Sequence, residues 1–119
     1  MSYSPKISIL IPIYNVERYL GKCLDSVFKQ SYQNIEYVFV DDCSSDSSVD
    51  VLMQKIKEYG VDDNHYVLLK HQENMGIAYT RANLVSMATG DYILFVDSDD
   101  WIESNMIELM VSASGNGTI

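Results

Sequence analysis

The chain has 119 residues, enough for one domain that buries roughly two thirds of its unfolded surface. Its 47% apolar and 21% charged content is that of an ordinary globular protein. Seventeen acidic against eight basic residues leave a net charge of −9, which argues against nucleic-acid binding and against a polybasic membrane patch. Cys23 and Cys43 form neither a disulfide framework nor a zinc spacing, so a reducing, cytoplasmic location is expected. The N-terminus lacks the basic, apolar and small-residue order of a signal peptide, and the first apolar run, 7–13, is far too short to span a bilayer.

In chain order, 7–13 reads as a buried strand ended by Pro12, Tyr14 and Asn15. Val16, Tyr19, Leu20, Cys23, Leu24, Val27 and Phe28 then recur at helical spacing, with Asn15 placed as N-cap. A second apolar strand, 35–40, runs into Asp41 and Asp42. The polar stretch 43–48 is a turn, and Val49, Leu52, Met53 and Ile56 mark a helix closed near Gly60. A third strand is expected at 66–69, followed by a helix over about 77–88 with Leu84, Val85 and Ala88 inward and Gly90 as its stop.

Residues 92–96 are too short and too uniformly apolar for an amphipathic helix, so they predict a strand covered on both faces. Ile102, Met106, Leu109 and Met110 suggest a last helix. The tail 112–119 shows no apolar periodicity and is expected to fray, which puts the domain at 1–111.

Such alternation implies an α/β fold: a doubly wound, mostly parallel sheet with right-handed crossovers and helices on both faces. Ligands of open parallel sheets bind at the carboxyl ends of the strands. Three of the four ends carry unusual polar groups, Tyr14 with Asn15, Asp41 with Asp42, and Asp97 with Asp99, and these are expected to converge on one crevice.

The run ILFVDSDDW, 93–101, is the most informative segment, an apolar strand that stops at three carboxylates and the only tryptophan. Carboxylates crowded at a strand end call for a cation. In extended chain Asp97 and Asp99 share a face, where two hard oxygen ligands suit Mg²⁺ or Mn²⁺. The alternative is a solvated loop that caps a helix starting near Glu103. Trp101 reads as packing.

Four segments together resemble the N-terminal half of family-two glycosyltransferases, nucleotide-sugar-dependent enzymes with the A-type fold. They are ISILIPIYN at 7–15, VFVDDCSSDSS at 38–48, the region of Asn74, Gly76 and Arg81, and GDYILFVDSDDW at 90–101. The resemblance implies that Pro12 and Tyr14 meet the nucleotide base, a tyrosine ring offering a flat apolar surface for a pyrimidine. It implies that Asp42 accepts a hydrogen bond from a base N–H, most often of uracil. Asp41 supports the turn, while Asp46 or a nearby serine can cap the next helix. Asn74 and Gly76 open a helix close to the ligand, and Arg81 lies near the diphosphate. The family commonly has asparagine directly after this arginine and glycine two residues later; here Ala82 and Leu84 stand there, with Asn83 between.

Asp97, Ser98 and Asp99 match the acidic metal motif, with Asp99 as direct ligand of Mn²⁺ or Mg²⁺, Asp97 on the ribose or the metal's water shell, and Asp100 in support or as a helix cap. The implied activity is metal-assisted, inverting transfer of a sugar from a nucleoside diphosphate sugar, a UDP-sugar foremost, to a glycan or lipid-linked acceptor. Contact of a larger parent protein with the cytoplasmic membrane is compatible with that setting. In the family the general base lies C-terminal to the metal motif. These 119 residues are therefore expected to be a truncated nucleotide-sugar half with weak binding and little turnover, with an exposed sheet edge that invites homo-oligomers. A non-catalytic nucleotide-binding or assembly module is the alternative. A receiver-type signalling domain fits worse, because it needs paired acids after its first strand and a lysine after its last.

Overall fold

The computed structural model describes residues 3–115. Its elements are β1 (Ile7–Ile13), α1 (Glu17–Phe28), β2 (Ile35–Asp41), α2 (Ser48–Tyr59), a single 3₁₀ turn (Asp63–His65), β3 (Tyr66–Lys70), α3 (Ile77–Met87), β4 (Tyr92–Phe95) and α4 (Met106–Gly115). The four strands form one parallel sheet in the order β3-β2-β1-β4. The doubly wound α/β architecture expected from the alternating pattern is thus the observed one.

β1 is buried along its whole length and sits at the centre. Its odd-numbered residues Ile7, Ile9, Ile11 and Ile13 join Ile35 and Phe39 of β2 in packing against Leu20, Leu24 and Val27 of α1, Leu52 and Ile56 of α2, and Ile107 and Val111 of α4. Its even face is smaller: Leu10 with Val38 and Val40 meets Leu84 of α3. A proline in a central strand is normally excluded. The Leu10 carbonyl accepts the Val96 N–H at 3.0 Å, so residues 10 and 12 turn their backbone polar groups toward β4. The paired part of β4 stops at Phe95 opposite Leu10. Pro12 therefore lacks an N–H where no ladder partner stands.

The helix ends follow local chemistry. Gly60 closes α2 in the left-handed conformation, φ 63°, as its position after the last periodic residue predicted. α3 ends at Met87, before Gly90, which has a different task from the stop expected of it. A Cβ on Gly90 would lie 2.6 Å from Ser8 Oγ and 2.7 Å from the Lys6 carbonyl, so glycine is needed there for the close approach of the chain to β1.

Three expectations are corrected. β4 is an edge strand rather than one covered on both faces, and Tyr92, Ile93 and Phe95 are exposed. α3 is the one described helix on its face and lies over β1 and β2, which leaves Val67, Leu69, Ile93 and Phe95 uncovered at the two margins. Val85 and Leu109 point outward, and the inward positions are Leu84 on α3 and Ile107 and Val111 on α4. α4 also begins at Met106, so Ile102 lies before it, and it continues through 112–115, residues expected to fray; 116–119 lie outside the described residues.

Candidate active site

The register aligns Ile13, Asp41 and Lys70 in one row across β1, β2 and β3. The residues just past that row, Tyr14, Asp42 and His71, leave the sheet at the same edge. A cavity of about 520 Å³ opens there, lined by Pro12 of β1 and Tyr14 just after it, Asp42 just after β2, Asn74 and Gly76 from the turn before α3, and Asp97, Ser98 and Asp99 after β4, among others. The three polar strand ends converge as expected.

Asn15 and Arg81 are the two candidates outside the lining. Asn15 does not cap α1, whose N-cap is Val16. It adopts a positive φ of 50°, and its side chain Oδ1 accepts the Ser45 N–H at 2.8 Å, while its own N–H donates to Ser44 Oγ at 3.0 Å. The β1 and β2 exit loops are thereby bolted together. Ser48 Oγ accepts the Val16 N–H at 2.8 Å, and Asp46 accepts both the Glu17 N–H at 3.2 Å and the Ser48 N–H at 2.9 Å. One aspartate thus serves the N-termini of two helices. Tyr14, at the tip of this rigid corner, keeps its ring 48% exposed beside the cavity. Asp41 turns away and accepts from the Ser44 N–H and hydroxyl, which is the turn-supporting role expected of it.

Asp42 is buried and heavily engaged. Oδ1 accepts the Met75 N–H at 2.7 Å and faces His71 Nδ1 at 2.8 Å, and Oδ2 accepts the Gly76 N–H at 3.0 Å. Burial opposes its ionisation, but the Met75 and Gly76 N–H groups and His71 outweigh that and hold the carboxyl below its usual range. An ionised carboxylate has about four acceptor positions, so these three donors leave capacity on Oδ2 for one more. Gly76 is the N-cap of α3 with φ 91°, a conformation that disfavours any side chain even though open space surrounds the Cβ position.

The acidic segment is a turn and not extended chain: the Asp100 N–H donates to the Asp97 carbonyl at 2.9 Å. The turn, rather than strand alternation, brings carboxylate oxygens of Asp97, Asp99 and Asp100 within 4.8 Å of one another. Asp100 is consequently a third member of the cluster and no helix cap, since α4 starts six residues later. Arg81 Nη2 lies 3.4 Å from Asp97 Oδ1 and the guanidinium carbon stands 5.5 Å above the Phe95 ring, at the rim of the crevice. Three clustered hard oxygen donors open to solvent suit Mg²⁺ or Mn²⁺. Beneath them Cys23 Sγ lies 3.6 Å from the Asp97 carbonyl; burial, aided by the charges of Asp100, Asp99 and Asp97, pushes the thiol up to about 12, so it stays protonated and unreactive. Trp101 is 52% exposed, with Lys22 Nζ 5.0 Å from its ring centroid, and lies outside the crevice lining; the packing expected of it is a surface contact.

Sequence reasoning missed Ile13, Val16, Ile77 and Thr80, which complete the lining, and His71 beside it. His71 was findable by the same rule that found the others, because it directly follows β3 and that strand end was the one left unread. Thr80 carried no signal, since its buried hydroxyl donates to the Gly76 carbonyl one turn back at 2.9 Å, a bond any helical threonine can make.

A parallel sheet whose strand ends gather an exposed aromatic ring, a buried carboxylate and an acidic turn is an open α/β domain with its crevice at the carboxyl ends of the strands, where such folds bind ligands. The profile of the family described as Glycosyl transferase family 2 matches residues 8–118, and the chain belongs to that family. It is 44% identical over 110 residues to glycosyltransferase GlyA of Streptococcus pneumoniae, a match that covers 92% of this chain and 15% of GlyA. Among solved structures, S. aureus TarS in complex with UDP-GlcNAc superposes with a TM-score of 0.83 at 29% identity, over 93% of this chain and 31% of that one. Mannosyltransferase PcManGT from Pyrobaculum calidifontis, in complex with GDP-Man and Mn²⁺, has a TM-score of 0.81 at 23% identity, over 95% of this chain and 32% of that one, and shares the fold.

Proposed function

We propose that the crevice binds the nucleoside diphosphate part of a sugar donor, a UDP-sugar foremost, and that the chain supplies the donor-binding half of an inverting glycosyl transfer to a glycan or lipid-linked acceptor. The observation that carries this is the meeting of Tyr14, Asp42 and the Asp97–Ser98–Asp99 turn in one cavity. The exposed Tyr14 ring supplies the flat apolar surface for the base, and the remaining acceptor position of Asp42 selects a ring N–H at its edge. Pro12 and Asn74 border the same space, and Ser98 lies between the acids. TarS is known with UDP and with UDP-GlcNAc, which supports uracil as the base.

Asp99 and Asp97, with Asp100 adjoining, are the residues that would hold Mn²⁺ or Mg²⁺. Such an ion supplies Lewis-acid neutralisation of charge on the diphosphate. Arg81 brings a fixed positive charge to the same end of the crevice, where negative charge grows as the bond from sugar to phosphate breaks. The two free cysteines support a cytoplasmic setting.

Calorimetry of the 119-residue chain with UDP, with and without Mn²⁺, tests the reading. Metal-dependent binding that disappears in Asp99→Ala is the expected result. Indifference to UDP, to the metal and to the substitution would end it.

A further inference from the structure

We infer that His71 is a positioning residue for nucleotide recognition: as an imidazolium it clamps Asp42 and the 74–76 turn into the shape that receives the base. The inference rests on the nucleotide-sugar reading of the crevice and adds to it a residue outside the cavity lining.

The geometry is a relay. His71 is the first residue past β3, and its N–H donates to the Asp41 carbonyl at 2.8 Å, which extends the sheet's row of bonds and fixes its backbone. Its side chain is nearly enclosed, with 8% exposed, between the end of β2 and the flank of α3. Nδ1 lies 2.8 Å from Asp42 Oδ1 and Nε2 lies 2.6 Å from Asn83 Oδ1. Both ring nitrogens face acceptor oxygens. Only the doubly protonated ring donates to both. A neutral ring with its proton on Nδ1 would set a lone pair against Asn83, and rotation of the Asn83 amide would relieve that contact without restoring the charge facing Asp42.

The surroundings favour the charged form. Asp41 and Asp42 of β2 are the anionic groups facing the ring, the Tyr79 ring of α3 crosses it with centroids 5.4 Å apart, and Lys70 and Glu73, near in sequence, are exposed. Burial alone would lower the imidazole's pKa, but the bonds to Asp42 and Asn83 and the charges of Asp42 and Asp41 outweigh it and raise the value above the ordinary one.

What His71 touches connects it to the ligand. Asp42 Oδ1 is shared between the ring and the Met75 N–H, and Oδ2 holds the Gly76 N–H, so the carboxylate plane is set from both sides. Rotation of that plane would move the free acceptor position away from the base and release the turn that carries Asn74 into the cavity. Asn83 finds its role here as well. It stands two residues after Arg81 and grips His71 from the same helix, so the clamp and the cationic rim are parts of one element.

The test has two arms on the 119-residue chain. In the first, NMR follows the His71 ring and the Met75 and Gly76 amide protons against pH without ligand. The ring is expected to titrate above its ordinary value and both amides to shift at the same midpoint; amides that ignore the His71 titration overturn the inference. In the second, calorimetry measures a UDP-sugar, whose diphosphate carries no proton to lose over that range. Affinity is expected to weaken by about tenfold as pH rises through the His71 midpoint, the loss of one charge-assisted contact, and His71→Gln should flatten the profile while remaining folded. A flat profile in the unmodified chain overturns the inference but leaves the nucleotide reading standing. Failure to bind at every pH sinks the nucleotide reading first, and this role of His71 with it.

Discussion

Arg81 Nη2 stands 3.4 Å from Asp97 Oδ1, with each side chain about half exposed, at 50% and 54%. A contact that long between solvated groups contributes little to folding. Around it, however, three carboxylates crowd within 4.8 Å, so Arg81 is a cation at the edge of an excess of negative charge. Its position suits a ligand that arrives with a cation and a diphosphate better than it suits the protein alone. Arg81→Ala is expected to change unfolding free energy by less than about 0.5 kcal/mol and to weaken UDP binding by about tenfold, roughly 1.4 kcal/mol, while uridine binding changes little. Paired urea melts and calorimetry check this; an equal loss for UDP and uridine would move Arg81 away from the diphosphate.

Asp46 holds two helix N-termini at once through the Glu17 and Ser48 N–H groups. Losing one capping residue costs about 0.5–2 kcal/mol, typically about 1. Asp46→Ala should therefore cost about 2 kcal/mol, near the top of that range, because α1 and α2 lose their acceptor together. Asp46→Asn retains an acceptor oxygen and should recover more than half. Denaturant midpoints of the two variants decide it, and a loss in Asp46→Ala no larger than that of an exposed surface aspartate would show that solvent replaces both caps.

The pH dependence of stability follows from Asp42, Asp46 and His71. Burial opposes ionisation of both aspartates, yet the donors of Met75, Gly76 and Ser48 hold them below the usual carboxylate range. Below about pH 5 the unfolded chain binds more protons at these sites than the folded one, so their contribution is present above the unfolded value of about 3.9 and is lost as pH falls through the lower folded values. His71 runs the other way. Its raised value means a contribution that is full below about 6.5 and lost as pH rises through the folded pKa. Urea midpoints should peak on the acid side of neutrality, and Asp42→Asn should lose both limbs of its share. Stability that keeps climbing from neutral into alkaline pH would contradict the His71 assignment.

How much of this was legible in the sequence depends on what each residue answers to. β1, β2 and the helices α1 and α2 were read correctly as elements because most of their apolar side chains are sorted by burial, and burial leaves a period in the sequence; Tyr19 and Met53, read into the helical stripes, are exposed. Tyr14, Asp42 and Asp99 were placed in one crevice because parallel connections send the strand ends to the same edge, whereas Asn74 and Gly76 were placed there only by the resemblance to the family. Asn15 was misread because its partner, Ser45, lies 30 residues away, and a capping residue looks the same whichever N–H it serves. The acidic cluster was found for a reason that does not hold: alternation in extended chain pairs Asp97 with Asp99 alone, whereas the turn recruits Asp100. β4 was misjudged because an apolar run shows only that a strand is apolar, and coverage depends on what other elements reach it.

The uncovered edge of β4 has a consequence for the molecule in solution. Among the described residues β4 presents an unpaired backbone edge flanked on one face by Ile93, 46% exposed, and Phe95, 38% exposed. Parallel sheets normally have such strands covered, and an uncovered apolar edge is a template for another strand. We expect the 119-residue chain to self-associate with rising concentration through this edge. Covering an isoleucine side chain contributes about 1.5–3 kcal/mol at most, and a charge in its place opposes edge pairing directly. Ile93→Lys should therefore shift sedimentation toward monomer. Ile93 lies outside the crevice lining, so UDP binding should persist unchanged. Purely monomeric sedimentation of the unmodified chain at high concentration would show that the edge is protected by the twist of the short strand alone; loss of UDP binding together with association would instead place the crevice in the interface between copies.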